Sequence, residues 1–310
     1  MEENKMKKAL SLLLVFALLL VFAVGCGTSS TTDDTAAATE APAEDASVEA
    51  TAESDDAAEA PAESDELTVI KVGASITPHA EILQECVEPM KELGYDLQIV
   101  EFTDYVQPNT AVEDGDLLAN YFQHQPYLDD FNENNGTHIV SVAAIHYEPF
   151  GMYPGKTATL EDLQDGATIA IPNDGSNEAR ALYLLQDLGL ITLKDGVGYT
   201  ATVLDIADNP RNLNITEIEA AQLVLTLQDV DFAIINGNYA LQGGLSVVDD
   251  AVAMESSDSD SAQTYANILA VKEGNENDPA VLALVSVLQS DEIADFIDET
   301  YQGSVVAMTR

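Results

Sequence analysis

The 310-residue chain has no tryptophan, two cysteines, and eleven lysines and arginines against 55 aspartates and glutamates. Each scarcity excludes something. A formal net charge of −44 opposes association with nucleic acid or anionic lipid headgroups, so neither is expected as a partner. The cysteines, Cys26 and Cys86, are too few for a metal-binding framework, and Cys86 reads as a small apolar residue on a helix. The four histidines, His79, His124, His138 and His146, lack His-x-x-x-His spacing, which predicts no metal site. The chain also lacks the Gly-rich phosphate fingerprints and the Gly-x-Ser-x-Gly elbow, and no cofactor is expected.

A long apolar run occurs once. Lys5, Lys7 and Lys8 precede Ala9–Val24, interrupted only by Ser11, and the run closes on Ala23-Val24-Gly25-Cys26. A basic start, an apolar segment shorter than the roughly 20 residues of a spanning helix, and small exit residues predict a signal peptide over residues 1–25. A cysteine directly after the small residue is where a bacterial lipoprotein is acylated, although Ala23 stands where leucine is commonest. A plain signal peptide with an incidental cysteine is the alternative. Residues 26–66 follow as the lipidated cysteine and an acidic, Ala/Thr/Ser/Pro-rich tether with thirteen acidic residues and no basic or aromatic one. Such a composition buries too little apolar surface to offset its ordering entropy. It predicts a disordered spacer of up to about 130 Å when extended. The protein is therefore expected at the cell membrane, anchored on the extracytoplasmic face.

Residues 67–310 suffice for a large core. Strands are expected at Leu67–Val72, Leu97–Phe102, Ile139–Ile145, Thr168–Ile171, Phe232–Ile235 and Ile268–Val271. Amphipathic helices are expected at Ala80–Leu93, Asn177–Leu188, Ile215–Thr226 and Pro279–Thr300. This alternation predicts an α/β protein with mainly parallel sheets.

Arg180 is one of three arginines in this region. It follows a predicted strand in Ile171-Pro-Asn-Asp-Gly-Ser-Asn-Glu-Ala-Arg180, with Ser176 or Asn177 as the cap of the next helix and Arg180 in its first turn. Free N–H groups, a helix dipole and a guanidinium fork would together suit a carboxylate. An arginine paired with a nearby acid is the competing reading. Phe102-Thr-Asp-Tyr105-Val-Gln-Pro-Asn109 and Asn120-Tyr-Phe122-Gln-His124-Gln-Pro-Tyr127-Leu128 concentrate rings in a chain with few aromatics. They suit an apolar slot with polar handles, or ordinary core packing.

Those segments, with Ile171–Asn177, Leu193-Lys-Asp-Gly-Val-Gly198 and Ala233-Ile-Ile-Asn-Gly-Asn-Tyr-Ala240, resemble the methionine-binding, NlpA-type lipoprotein family from about Val69 onward. The chain departs from the family at Val224-Leu225, where Pro-Arg is frequent. The resemblance implies a type II-like periplasmic-binding-protein fold of two α/β lobes with ligand between them. One lobe would span 67–147 plus 248–310 and the other 151–247, with crossings at 148–150 and about 245–250. It also implies that Arg180 binds the ligand carboxylate, that Asn236 and Asn267 hold the amino-acid head group, and that Tyr105, Phe122, His124 and Tyr127 form the side-chain pocket, with Asn177 as a further polar contact.

The expected function is a non-enzymatic, monomeric receptor that captures L-methionine by lobe closure. It would serve an amino-acid ABC importer through its permease and ATPase, held to the membrane by its lipid anchor. The alternatives are a receptor for another small amino acid, a methionine derivative or a short peptide. A surface-anchored hydrolase or an adhesive protein ranks below them.

Overall fold

A computed structural model describes residues 66–256 and 263–308 of the chain. The expected signal peptide, the lipidation site Cys26 and the tether lie outside those residues. No helix among the described residues is long and apolar enough to cross a membrane.

Two mixed sheets organise the fold. The first is built from β1 (Thr68–Ser75), β2 (Tyr95–Phe102), β3 (Ala119–His124), β4 (Ile139–Tyr147), β12 (Asn267–Lys272) and β13 (Val306–Ala307), in the order β13-β4-β12-β3-β1-β2. The second is built from β5 (Gly151–Pro154), β6 (Thr168–Pro172), β9 (Asn214–Ile218), β10 (Phe232–Ile235) and β11 (Ala253–Met254), in the order β11-β5-β10-β6-β9. A small ribbon pairs β7 (Thr192–Leu193) with β8 (Ile206–Asp208). β1 runs parallel to β2 and β3, and β6 runs parallel to β9 and β10. β12 is inserted antiparallel between β3 and β4, while β5 is antiparallel to β10. The expectation of mainly parallel sheets therefore gives way to mixed ones. Chain that returns from the other lobe enters each sheet against the direction set by the strand–helix–strand units.

Apolar burial explains why the elements stay where they are. Val72, Ile82, Leu83, Tyr121, Leu269 and Leu284 pack one core, and Ile169, Leu182, Leu185, Phe232 and Ile234 pack another. Each such side chain contributes about 1.5–3 kcal/mol on burial. β3 is buried at every residue, so it carries no alternating pattern, and its sequence reads as a ring cluster rather than a strand.

Other elements differ from expectation for local reasons. The segment expected as a helix over Ile215–Thr226 instead begins as β9, then turns through Ala220–Gln222 into the short helix Leu223–Thr226. The β-branched Ile215, Thr216 and Ile218 favour pairing with β6 over helix. The expected helix Pro279–Thr300 is two helices, Pro279–Leu288 and Asp291–Tyr301, because the Ser290 side chain caps the second by accepting from the Ile293 N–H. β11 pairs with β5 in the second sheet, and β12 pairs with β3 in the first.

Leu182 is fully buried in the second core, where a shortened side chain leaves a cavity. Leu182→Ala is expected to cost about 2–5 kcal/mol, read as a lower urea midpoint by circular dichroism. An unchanged midpoint would contradict this packing.

Candidate ligand-binding site

The carboxyl ends of the parallel strands in both sheets face one another, where open α/β folds place their ligands. β3 ends in Phe122-Gln123-His124, and β12 begins directly opposite, with Asn267 in register with His124. β6 leads into the helix Gly175–Asp187, which carries Asn177 and Arg180. β10 ends at Asn236, the residue before the helix Gly237–Gln242. Tyr105 lies in the loop after β2, Tyr127 on the helix Gln125–Asn135, and Glu148 just after β4.

These residues line a concave pocket with about 340 Å³ of empty space, counting its opening to solvent. All eight residues expected at the site line it: Tyr105, Phe122, His124, Tyr127, Asn177, Arg180, Asn236 and Asn267. Sequence reasoning missed Gln123, Glu148, Gly237 and Asn238, which line it too. Gln123, Gly237 and Asn238 belong to the ring-rich and Ala233–Ala240 motifs; Glu148 is one acid among many.

Hydrogen bonds close the cavity from both lobes. Tyr105 donates to Asn238 Oδ1 at 2.6 Å, and the Tyr239 hydroxyl donates to the Thr103 carbonyl at 3.2 Å. The Tyr127 N–H donates to His124 Nδ1 at 3.2 Å, so the proton of a neutral His124 sits on Nε2. That Nε2–H meets Asn177 Oδ1 at 3.1 Å, and the same oxygen accepts from Asn236 Nδ2 at 2.9 Å. Asn236 Oδ1 and Asn238 Nδ2 are buried without a partner among the described residues. The rings do both things the sequence left open. Tyr105 packs 5.8 Å from Phe122 and 5.7 Å from Tyr127, centre to centre, and all three also line the cavity.

Asp174, rather than Ser176 or Asn177, caps the arginine-bearing helix, its Oδ1 accepting from the Asn177 N–H at 3.0 Å. The helix thus begins at Gly175, which carries Arg180 beyond the first turn. Arg180 is only 4 % exposed and pairs with Glu255, with Nη2 2.6 Å from Oε2. Its guanidinium carbon lies 4.3 Å above Tyr265 and 4.7 Å above Phe150. Burial works against the guanidinium charge, but the Glu255 carboxylate outweighs it and raises the arginine pKa.

A second layer supports the head-group side. His79 Nε2 lies 2.9 Å from Asn267 Oδ1 and 3.4 Å from Glu148 Oε1, and His146 Nε2 lies 2.8 Å from the same Glu148 oxygen. Tyr121 bonds His146 Nδ1 through its hydroxyl. One donor atom each from His79, His146 and Glu148 falls within 4.8 Å of the others, a grouping of metal-ligand types that their sequence spacing concealed. Burial pushes His79 down to about 4 and His146 to about 3, and it raises Glu148. Hence the imidazoles are neutral donors at neutral pH, and their contacts with Glu148 are hydrogen bonds rather than ion pairs. Gly237 lets this layer form. A Cβ there would stand 2.6 Å from Glu148 Oε2 and 2.7 Å from Glu148 Cβ.

An NlpA lipoprotein family model matches residues 70–309. The chain belongs to the NlpA lipoprotein family. It is 40% identical over 240 residues to the D-methionine-binding lipoprotein MetQ of Escherichia coli K12, covering 76% of this chain and 87% of that one. A Burkholderia cenocepacia nutrient-binding protein solved with methionine superposes with a TM-score of 0.74 at 48% identity, covering 77% of this chain and 100% of the other. An ABC transporter periplasmic substrate-binding protein of Coxiella burnetii superposes at 0.73 with 40% identity, covering 77% and 100%. The chain is thus a substrate-binding protein, not an enzyme.

Burial pushes His124 down to about 3 as well, with Arg180 acting in the same direction. Between those values and the ordinary 6.5, the unfolded chain binds protons that the folded one does not, so the stability held by the neutral histidines is lost as pH falls from about 6.5 toward 4. Each of the three histidines, His79, His124 and His146, is expected to contribute up to about 1.4 kcal/mol of loss per pH unit in that window. Glu148 opposes this trend, because its raised pKa favours the folded state at lower pH. Urea midpoints at pH 7, 5.5 and 4.5 check the sign, and a midpoint that rises on acidification contradicts neutral burial.

A Gly237→Ala protein is expected to stay folded and to displace Glu148. Crystallography of that variant reads the displacement directly, and an unmoved Glu148 would contradict the close approach.

Proposed function

We propose that this chain is an extracytoplasmic receptor that captures L-methionine by closure of two lobes and delivers it to an ABC permease and its ATPase. The observation that carries this reading is that one cavity is lined both by packed rings and by linked polar groups. Tyr105, Phe122 and Tyr127 pack against one another, while His79 links Asn267 to Glu148 and Arg180 reaches the Glu148 carbonyl. An amino acid with an apolar side chain needs both.

In this reading Arg180 takes the ligand carboxylate, a charge-assisted bond worth about 1.5–3 kcal/mol. Among the residues lining the cavity, Glu148 carries the one carboxyl group, and it receives the ligand ammonium. Asn236 Oδ1 gains the partner it lacks within the protein. Asn267 Oδ1 is held by His79, which leaves Nδ2 to the head group. Asn177 is already shared between His124 and Asn236, so it acts by holding those two in place. The thioether packs against the rings at about 0.3–1.5 kcal/mol per contact.

The lobes are proposed as 67–147 with the chain after Met254, and 151–254. Glu148–Phe150 and the segment between Met254 and Asn267 form the moving crossings. Cys26 is the proposed lipid anchor. The protein works as a monomer on the outer side of the membrane.

Calorimetric titration of residues 67–310, refolded to remove co-purified ligand, tests the reading against L-methionine, D-methionine and a panel of other amino acids. Sub-micromolar one-to-one binding of L-methionine is expected. Arg180→Ala should weaken it by about ten- to a hundred-fold, the equivalent of one charged hydrogen bond. Tyr105→Ala should narrow the preference for methionine over leucine. Stronger binding of the D enantiomer, or wild-type affinity in Arg180→Ala, would overturn the corresponding assignment.

A further inference from the structure

Two of the three guanidinium nitrogens of Arg180 are already occupied. Nε lies 2.9 and 3.1 Å from the two Glu255 oxygens. Nη2 lies 2.6 Å from Glu255 Oε2 and 3.0 Å from the Glu148 carbonyl oxygen. The hydrogen bonds that hold Arg180 to Glu255 and to the Glu148 carbonyl run through Nε and Nη2, not Nη1. Glu255 Oε2 also accepts from the Tyr147 hydroxyl at 2.6 Å and from the Phe150 N–H at 3.2 Å. A single carboxylate thus ties an arginine on a second-lobe helix to both ends of the Glu148–Phe150 crossing. Glu255 itself stands at the start of the return passage to the first lobe. Arg180 lines the ligand cavity and also a second cavity behind it, and Glu255 lines only the second.

We propose that Glu255 is a positioning residue for ligand recognition: it grips the Nε/Nη2 edge of Arg180 from behind and leaves Nη1 as the donor that meets the ligand carboxylate. The inference rests on the assignment of Arg180 to that carboxylate. It has a consequence opposite in sign to simple charge counting. Glu255 neutralises Arg180, so a field argument alone predicts that removing Glu255 makes the site more positive and tightens binding of an anion. A positioning role predicts the reverse, because a freed guanidinium loses its single orientation and the four donors that bond to Glu255 lose an acceptor. Selectivity for the carboxylate then comes from direction rather than from net charge.

The test uses the full chain in detergent, as wild type, Glu255→Gln and Glu255→Ala, titrated with L-methionine and with L-methioninamide, which lacks the carboxylate. Glu255→Ala is expected to weaken L-methionine by about tenfold or more, while L-methioninamide changes by less than about threefold. Glu255→Gln keeps one acceptor for the arginine, so it should recover part of the loss. If Glu255→Ala fails to fold by circular dichroism, the same two-ligand comparison on Glu255→Gln decides. Unchanged or tighter L-methionine binding overturns the proposal, and so does an equal loss for both ligands. A wild-type protein that binds no methionine refutes the ligand instead. In that case the Arg180 Nε–H resonance of labelled, ligand-free protein decides the clamp: slow solvent exchange that becomes fast in Glu255→Gln supports it, and equal exchange rejects it.

Discussion

A buried guanidinium must keep its charge met and its N–H groups bonded, because moving such an ion out of water costs several kcal/mol even after relaxation. Much of the surrounding structure answers that requirement for Arg180. The helix Gly175–Asp187 brings the side chain under the edge of the second sheet, where Glu255 meets it with a carboxylate and the Glu148 carbonyl accepts one further bond. Tyr265 and Phe150 lie over the cation at distances where ring faces attract it. Those partners come from the segments just after β4, just after β11 and just before β12.

Around that pair, polarity is handled without further net charge. His79, His124 and His146 are buried and neutral, and each uses Nε2 to fix the orientation of a neighbouring amide or carboxyl group. Neutral donors suit a cavity walled by one arginine whose charge is met from outside it, since every added buried charge would need its own partner. The result is a site whose polar groups are directional. Residues 67–310 as a whole carry eight basic residues against forty acidic ones.

The cavity lining was legible because several motifs place rings and amides at strand ends, and the family resemblance singled those residues out. All eight line a single cavity. The fold was legible where a strand carried a recognisable β-branched run, as in Phe232–Ile235, whose limits match the expectation. It was not legible in β3, which is buried on both faces and so lacks alternation. Nor was it legible in β9, whose apolar spacing also fits a helix until pairing with β6 is counted. Glu148 as a lining residue and Glu255 as the partner of Arg180 escaped notice for a different reason. In a chain with 55 acidic residues, carboxylates carry almost no positional signal, and only the partners that burial brings to them mark these two. The helix cap at Asp174 is a similar case. Asp, Ser and Asn all cap well, and three of them stand within four residues.

The placement of β12 has a consequence for when the protein becomes whole. This strand lies between β3 and β4 in the middle of the first sheet, yet it comes from near the end of the chain. Until residues 267–272 have been made and threaded into that slot, β3 and β4 have no bridge, and Asn267 is missing from the cavity wall. The amino-terminal lobe therefore cannot be completed by the amino-terminal half of the chain. Pairings this distant in sequence close slowly, because a large loop must be ordered before any contact offsets its entropy. A chain cut anywhere before Asn267 is a split half-sheet with an exposed edge on each side, so recognition of any ligand in this cavity waits on the arrival of the last segment.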